Sequence, residues 1–390
     1  MSDTEGDEGQ TAAVIEEGLR AAAVPPFHAM AMARAASDRE ADGHRVLHLE
    51  VGQPATGLPA AARDAVTASL DRPLGYTNAR GIDPLRHRLA ERHGVDVDRI
   101  AVVSGASAGF TLAFLTLFDA GARVGVLEPG YPCYRNTLIA LGMEPVAIPV
   151  GPGTRFAPSS ELLAAAGPLD GLIIASPSNP TGTILDADAL DTISTYCTTN
   201  DVKLVADEIY HGISADPAPQ ILDHHPEAFV INSFSKYYSM TGWRVGWIVV
   251  PESVADAVER LQQNLFICAP HVSQVAALAA LDATDELDAH VERYLCNRDL
   301  IVPGLAAAGI DRIAPADGAF YVYAHVPELT TELGIDSLEL CRRWLDELGL
   351  CATPGIDFDI ARGHEYVRFS YAGPTDVVGE AVDLLGGWQP

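Results

Sequence analysis

Lysine is nearly missing from this chain. Only Lys203 and Lys236 occur among 390 residues, and lysine and arginine together number 25 against 53 aspartates and glutamates. The formal net charge of -28 argues against nucleic acid as a partner, because phosphate-backbone binding needs clustered cations. It argues equally against an anionic membrane surface. Two readings of the acidity stay open: a solubilising surface, or adaptation to concentrated salt. No apolar run is long enough to span a membrane. The cysteines (Cys133, Cys197, Cys268, Cys296, Cys341, Cys351) form no CxxC pair. They are expected to be small buried hydrophobes, reduced in the cytoplasm, and no metal site is expected. The acidic, polar start of the chain is not a signal peptide. A GxGxxG fingerprint is also missing, which disfavours a nicotinamide cofactor.

What is present is a hydrophobic fraction of 48%, ample for a large α/β domain with a smaller one appended. Residues 1–12 read as a disordered acidic tail. An amphipathic helix is predicted over 27–36, a strand over 44–51, and helices over 59–70 and 84–93. Short apolar strands follow at 100–104, 123–127, 144–149, 172–175, 203–206, 229–233 and 245–250. Strands this apolar, alternating with helices, predict a mostly parallel sheet flanked by helices. Beyond Pro251 come helices near 252–264, 271–282 and 286–308, a strand at 318–323, a helix at 337–348, a strand at 365–372 and a last helix. That order suggests a second, α+β domain. The expected division is a large domain over 45–285 and a small one over 13–44 and 286–390.

Against the scarcity of lysine, Lys236 stands between two serines in Ser233-Phe234-Ser235-Lys236. A lysine amine forms a Schiff base with an aldehyde, which arginine cannot do, and Arg244 can hold an anion. Ligands of an open parallel sheet bind at the carboxyl ends of its strands. Those ends carry Gly105-Ala106-Ser107, Tyr131, Asn179, Asp207 with Tyr210, and Ser233 to Lys236. Each has an ordinary reading when taken singly. The glycine-rich step could be only a tight turn, Asn179-Pro180-Thr181-Gly182 a turn before a helix, Asp207 a salt-bridged carboxylate, and Arg368 an ion-pair partner. Lys203, at the start of a strand, reads as a surface charge.

Taken together, these motifs resemble the fold-type I pyridoxal phosphate (PLP) enzymes, and within them the class I/II aminotransferases. The resemblance rests on Tyr76 with Gly81, Ser104-Gly105-Ala106-Ser107, Pro129-Gly130-Tyr131-Pro132, Asn179-Pro180-Thr181-Gly182, Asp207-Glu208-Ile209-Tyr210, Ser233 to Lys236, Met240 to Arg244, and Arg368. It spans about residues 25–385. It implies that Lys236 carries PLP and shuttles a proton, that Asp207 pairs with the pyridine nitrogen, and that Asn179 and Tyr210 bond its phenolic oxygen. Tyr131 would stack on the ring. Ala106, Ser107, Ser233 and Arg244, with Ser235 in support, would hold the phosphate, and Tyr76 would reach the phosphate of a neighbouring subunit. Arg368, with Gly52 and Asn179, would bind the substrate carboxylate.

The implied reaction moves an amino group between an L-amino acid and a 2-oxo acid in a ping-pong cycle, in a homodimer with shared active sites. A PLP-dependent C–S β-lyase or related eliminating enzyme is the alternative. A PLP-binding transcription regulator is disfavoured by the acidity. Arg80 and Arg135 are candidates for a substrate's distal carboxylate, and the segment 26–30 is expected over the site. Replacing Lys236 by alanine is expected to remove the absorbance band of the lysine-bound cofactor and nearly all turnover. A Lys236→Ala protein that kept both would end the assignment.

Overall fold

Seven short strands lie side by side at the centre of the computed structural model, which describes residues 18–389. The tail expected over 1–12 lies outside the described residues. In chain order the twelve strands of the described residues are β1 (Leu47–His48), β2 (Ile100–Val103), β3 (Arg123–Glu128), β4 (Glu144–Pro149), β5 (Gly171–Ala175), β6 (Lys203–Asp207), β7 (Phe229–Ser233), β8 (Gly246–Val249), β9 (Tyr321–His325), β10 (Leu350–Cys351), β11 (Thr353–Pro354) and β12 (Tyr366–Ser370). The main sheet runs β2-β8-β7-β6-β5-β3-β4. Its strands are apolar on both faces because both are covered. Phe229 and Ile231 of β7 join a cluster with Phe110 and Phe114, whereas Val230 between them joins Leu85, Leu89 and Trp247 on the other side. That alternation is the period of two of an extended chain.

One strand departs from the parallel arrangement. β8 runs antiparallel to both β2 and β7, with Gly246 opposite Val103 and Ser233. The reversal has a functional result: the start of β8, just after Arg244, lies at the edge where β2 and β7 end.

The helix Pro132–Leu141 is not anticipated in the sequence, where Pro-Gly-Tyr-Pro reads as a loop. Proline is tolerated in a first helical turn, where its missing N–H has no acceptor to serve, and Gly142 closes the helix at φ +86°.

The remaining chain builds a second body. β9, β12 and β11 form an antiparallel sheet covered by the helices Thr284–Ala307, Ser337–Leu348 and Thr375–Gly387. Its core holds Trp344, Phe369, Val322 and Leu340. The helix His28–Ala41 packs against this body. The strand expected over 44–51 reduces to β1, which pairs with β10, and Val46, Leu47 and Leu49 pack in the same cluster. Cysteine burial is also narrower than expected. All six are free, but only Cys197, Cys341 and Cys351 are buried, and Cys296 is exposed, since it falls on the solvent side of an amphipathic helix. No helix among the described residues is long and apolar enough to cross a membrane.

The helix Asp83–His93 is tied to β8 by a bond from Trp247 Nε1 to His93 Nε2 at 2.9 Å. Accepting at Nε2 requires the neutral ring, and burial pushes the His93 pKa from its ordinary 6.5 down to about 4. The unfolded chain then binds a proton that the folded chain refuses, so stability falls as pH drops from 6.5 towards 4. Thermal unfolding of wild type is expected to decline more steeply across that interval than that of His93→Gln. Parallel declines would contradict it.

Candidate active site

Lys236 follows β7 by one turn, and its Nζ donates to the carbonyl of Gly52 at 2.6 Å. The amine also lies 5.6 Å from the centre of the Tyr210 ring. Burial, reinforced by the charge of Arg368, lowers its pKa to about 8, with Asp207 opposing the shift. The amine is thus held close to its neutral, nucleophilic form.

Asp207 ends β6 and is 3% exposed. One carboxylate oxygen accepts from the Ile209 N–H at 3.0 Å, and the other accepts from the Tyr134 hydroxyl. Burial nevertheless raises its pKa to about 6 despite those bonds and the charge of Lys236. Tyr134 is a site residue that the sequence reading missed. Its signal was the spacing of three from Tyr131, which sets both rings over one end of the helix Pro132–Leu141.

Arg368 projects from β12. Its Nη1 donates to Asn179 Oδ1 at 2.9 Å, and its Nη2 to the Glu50 carbonyl at 2.6 Å and Thr353 Oγ1 at 3.1 Å. The guanidinium lies between the rings of Tyr321 and Phe358, at 4.4 and 4.9 Å from their centres. Its buried Nε has no partner, and no carboxylate pairs with it among the described residues. A buried cation bonded only to neutral groups is costly and suits an incoming anion. Tyr321, also unanticipated, bonds Tyr210 hydroxyl to hydroxyl at 2.7 Å.

At the edge formed by β2, β7 and β8, Gly105 adopts φ +82°, and a Cβ there would stand 2.6 Å from Arg244 Nη2. The helix Ala106–Leu117 starts at that point without a side-chain cap, leaving the Ala106 and Ser107 N–H groups without intrahelical acceptors. The Ser233 hydroxyl accepts from the Ser235 N–H at 3.0 Å, and among the described residues Arg244 Nη1 reaches only the Thr241 carbonyl, at 3.2 Å. Free amide donors at a helix start beside an unpaired arginine make an anion cradle.

Other expected residues are placed differently. Tyr76 is 84% exposed and stands outside this cluster. Tyr131 meets Tyr134 and Phe27 edge-on, at 5.4 and 6.5 Å between ring centres. Phe27 brings the N-terminal segment to the site, and the Asp357 carboxylate fixes it there, accepting from the N–H groups of His28 (2.9 Å) and Ala29 (2.7 Å). Neither arginine suggested for a distal carboxylate is free. Arg80 contacts Asp98, Asp256 and Glu259, and Arg135 pairs with Glu128 and bonds the Asp357 carbonyl.

The donor set fits pyridoxal phosphate. A buried carboxylate faces no full countercharge, a lysine amine is held near neutrality, and an anion cradle lies beside them. Comparison with known proteins agrees. A family model described as aminotransferase class I and II matches residues 44–385. A valine–pyruvate aminotransferase of Mycobacterium tuberculosis is 47% identical over 382 residues, spanning 95% of this chain and 97% of that protein. The crystal structure of an aminotransferase from the same organism superposes with a TM-score of 0.92 at 46% identity, covering 96% of this chain and 99% of that one. Aspartate aminotransferase from Thermus thermophilus with maleate superposes with a TM-score of 0.88 at 28% identity, covering 96% and 99%.

The raised pKa of Asp207 means that its ionised form costs the cofactor-free protein stability above pH 6, a cost absent below 3.8. Asp207→Asn is expected to stabilise the cofactor-free protein at pH 8, with the gain fading in acid. The same change is expected to weaken PLP binding. Thermal unfolding with and without PLP reads both effects, and an Asn variant less stable at pH 8 would refute the account.

Proposed function

The chain belongs to the class I and II aminotransferases, and on that premise we propose a small apolar amino acid, valine first, as its amino donor and pyruvate as its acceptor. Its reaction is the PLP-dependent transfer of an amino group between an amino acid and a 2-oxo acid. The observation that carries the choice of substrates is the 47% identity, over nearly the whole chain, to a relative named for valine and pyruvate. Two features support it. Arg80 and Arg135 are engaged by carboxylates of the protein, so neither offers itself to a second substrate carboxylate. The segment held over the site presents Phe27 against Tyr131, an apolar wall suited to an aliphatic side chain.

In this reading Lys236 carries the cofactor, Asp207 faces its ring nitrogen, and Tyr210 and Asn179 face its phenolic oxygen. Tyr131 covers the ring. The N–H groups of Ala106 and Ser107, with Ser233, Ser235 and Arg244, hold the phosphate. PLP, when bound, supplies the electron sink that lets the substrate Cα–H bond ionise and the carbon that carries the amino group between half-reactions. Arg368 takes the substrate α-carboxylate with its unpaired Nε and by exchanging a present partner, beside Gly52 and Asn179. That fixes Cα before Lys236. With its pKa near 8, Lys236 can accept the Cα proton on Nζ and return it, acting as base and then acid. Asp207 keeps a negative charge where the ring nitrogen needs one, and Tyr134 and the Ile209 N–H hold it in place. Burial of these groups excludes water from the reacting atoms.

The working form is a homodimer in the cytoplasm. Tyr76 is exposed beside Leu74, on a hollow also lined by Ser104, Cys268 and Pro270, and Leu265 and Ile267 are exposed close by in sequence. A second copy covering that apolar surface would bring Tyr76 to the neighbour's phosphate cradle.

The test is a half-reaction screen. Valine mixed with purified enzyme is expected to deplete the lysine-bound absorbance, and pyruvate to restore it, with aspartate far less effective. Conversion by aspartate but not valine would overturn the substrate choice. Pyruvate released from cystathionine without an oxo acid would indicate elimination instead.

A further inference from the structure

We propose that Tyr321 is a positioning residue of this site: its hydroxyl aims Tyr210 at the cofactor's phenolic oxygen, and its ring seats Arg368 for the substrate carboxylate. The inference rests on the roles assigned above to Tyr210 and Arg368.

The placement follows from strand register. Arg368 of β12 pairs with Tyr323 of β9, so Tyr321, two residues along, shares its face as a diagonal neighbour. The guanidinium carbon consequently lies 4.4 Å from the Tyr321 ring centre. A cation over a phenol ring draws electron density from the oxygen and makes its O–H a stronger donor. The two hydroxyl oxygens stand 2.7 Å apart, a bond in which either can donate, and in the proposed arrangement the donor is Tyr321. Burial raises both phenols above their ordinary range, and for both the charge of Arg368 opposes the rise. The pair therefore keeps two protons for one mutual bond. When Tyr321 donates, the remaining proton is that of Tyr210, free to be offered to the cofactor.

Gly52 carries the third contact. A Cβ at that position would lie 2.0 Å from the Tyr321 hydroxyl oxygen, so only glycine lets the backbone come this close. The carbonyl of the same residue receives Lys236 Nζ at 2.6 Å. Tyr321 thus borders the lysine's acceptor, the phenol assigned to the cofactor and the arginine assigned to the substrate. The titratable and charged groups facing the pair are Asp207, Lys236, Arg368, Tyr131, Tyr134 and Tyr371.

Tyr321→Phe removes the hydroxyl and keeps the ring on Arg368. In the holoenzyme the pH midpoint of the lysine-bound absorbance is expected to rise, with a change of about three- to tenfold in the protonation constant. KM for the amino acid should stay within about twofold, whereas Tyr321→Leu, which removes the ring, should raise KM about tenfold or more. Tyr210→Phe should shift the midpoint in the same direction, and the double variant should shift little further, because the two hydroxyls act as one relay. Should Tyr321→Phe titrate like wild type while Tyr210→Phe shifts, the inference fails and the assignment of Tyr210 survives. Should Tyr210→Phe leave the midpoint unmoved, the assignment and the inference fall together. Additive shifts would likewise overturn the relay.

Discussion

Uncompensated charge at one edge of a sheet is the constraint from which the rest of this structure follows. Asp207 is buried with two hydrogen bonds but no full countercharge, and Arg368 is buried with an unpaired Nε. Arg244 reaches only a carbonyl. A fold selected for stability alone would neutralise these groups or replace them with hydrocarbon. Two arginines outside this edge are by contrast neutralised: Arg80 contacts three carboxylates and Arg135 one. The contrast locates the site better than any cavity does. A cofactor bearing a ring cation and a phosphate, together with a substrate bearing a carboxylate, supplies the missing charges.

Holding such groups in place requires a scaffold that does not relax. The inner strands of the main sheet are buried on both faces, and alternate residues of the same strands feed the clusters on its two sides. The antiparallel β8 is the less obvious requirement. Were it parallel, Arg244 would precede the strand at the opposite edge, far from the helix start at Ala106. Reversal brings it beside Gly105 and Ser233, so three separate stretches of chain converge on one anion cradle.

Much of this was legible in the sequence, for identifiable reasons. Apolar strands ending in Ser, Asn, Asp and Lys reveal both the sheet and the residues at its edge, because period and terminus are local properties. The helix Pro132–Leu141 was hidden by a proline that local reading takes as a turn, and Tyr134 was hidden with it. Tyr321 was hidden differently. It starts an apolar strand, and only its diagonal position beside Arg368, 47 residues further along the chain, distinguishes it from core. The direction of β8 is also a long-range property that no local pattern carries. The cysteines illustrate a simpler gap, since an apolar neighbourhood in sequence did not keep Cys296 out of solvent.

The site lies across a joint. Lys236, Asp207 and Arg244 belong to the large body, and Arg368 and Tyr321 to the small one. The bonds from Arg368 to Asn179 and from Tyr210 to Tyr321 cross between them. The N-terminal helix is pinned by Asp357, whose neighbour Phe358 packs on Arg368. In the proposed assignment, a substrate carboxylate arriving at Arg368 would compete with Asn179 and the Glu50 carbonyl for the same donors and would rearrange the contacts that span the joint. Those contacts run on through Phe358 and Asp357 to the segment carrying Phe27, so in the proposed assignment they join the α-carboxylate site to the wall facing the side chain. Recognition of the part common to all amino acids thereby bears on the part that distinguishes them.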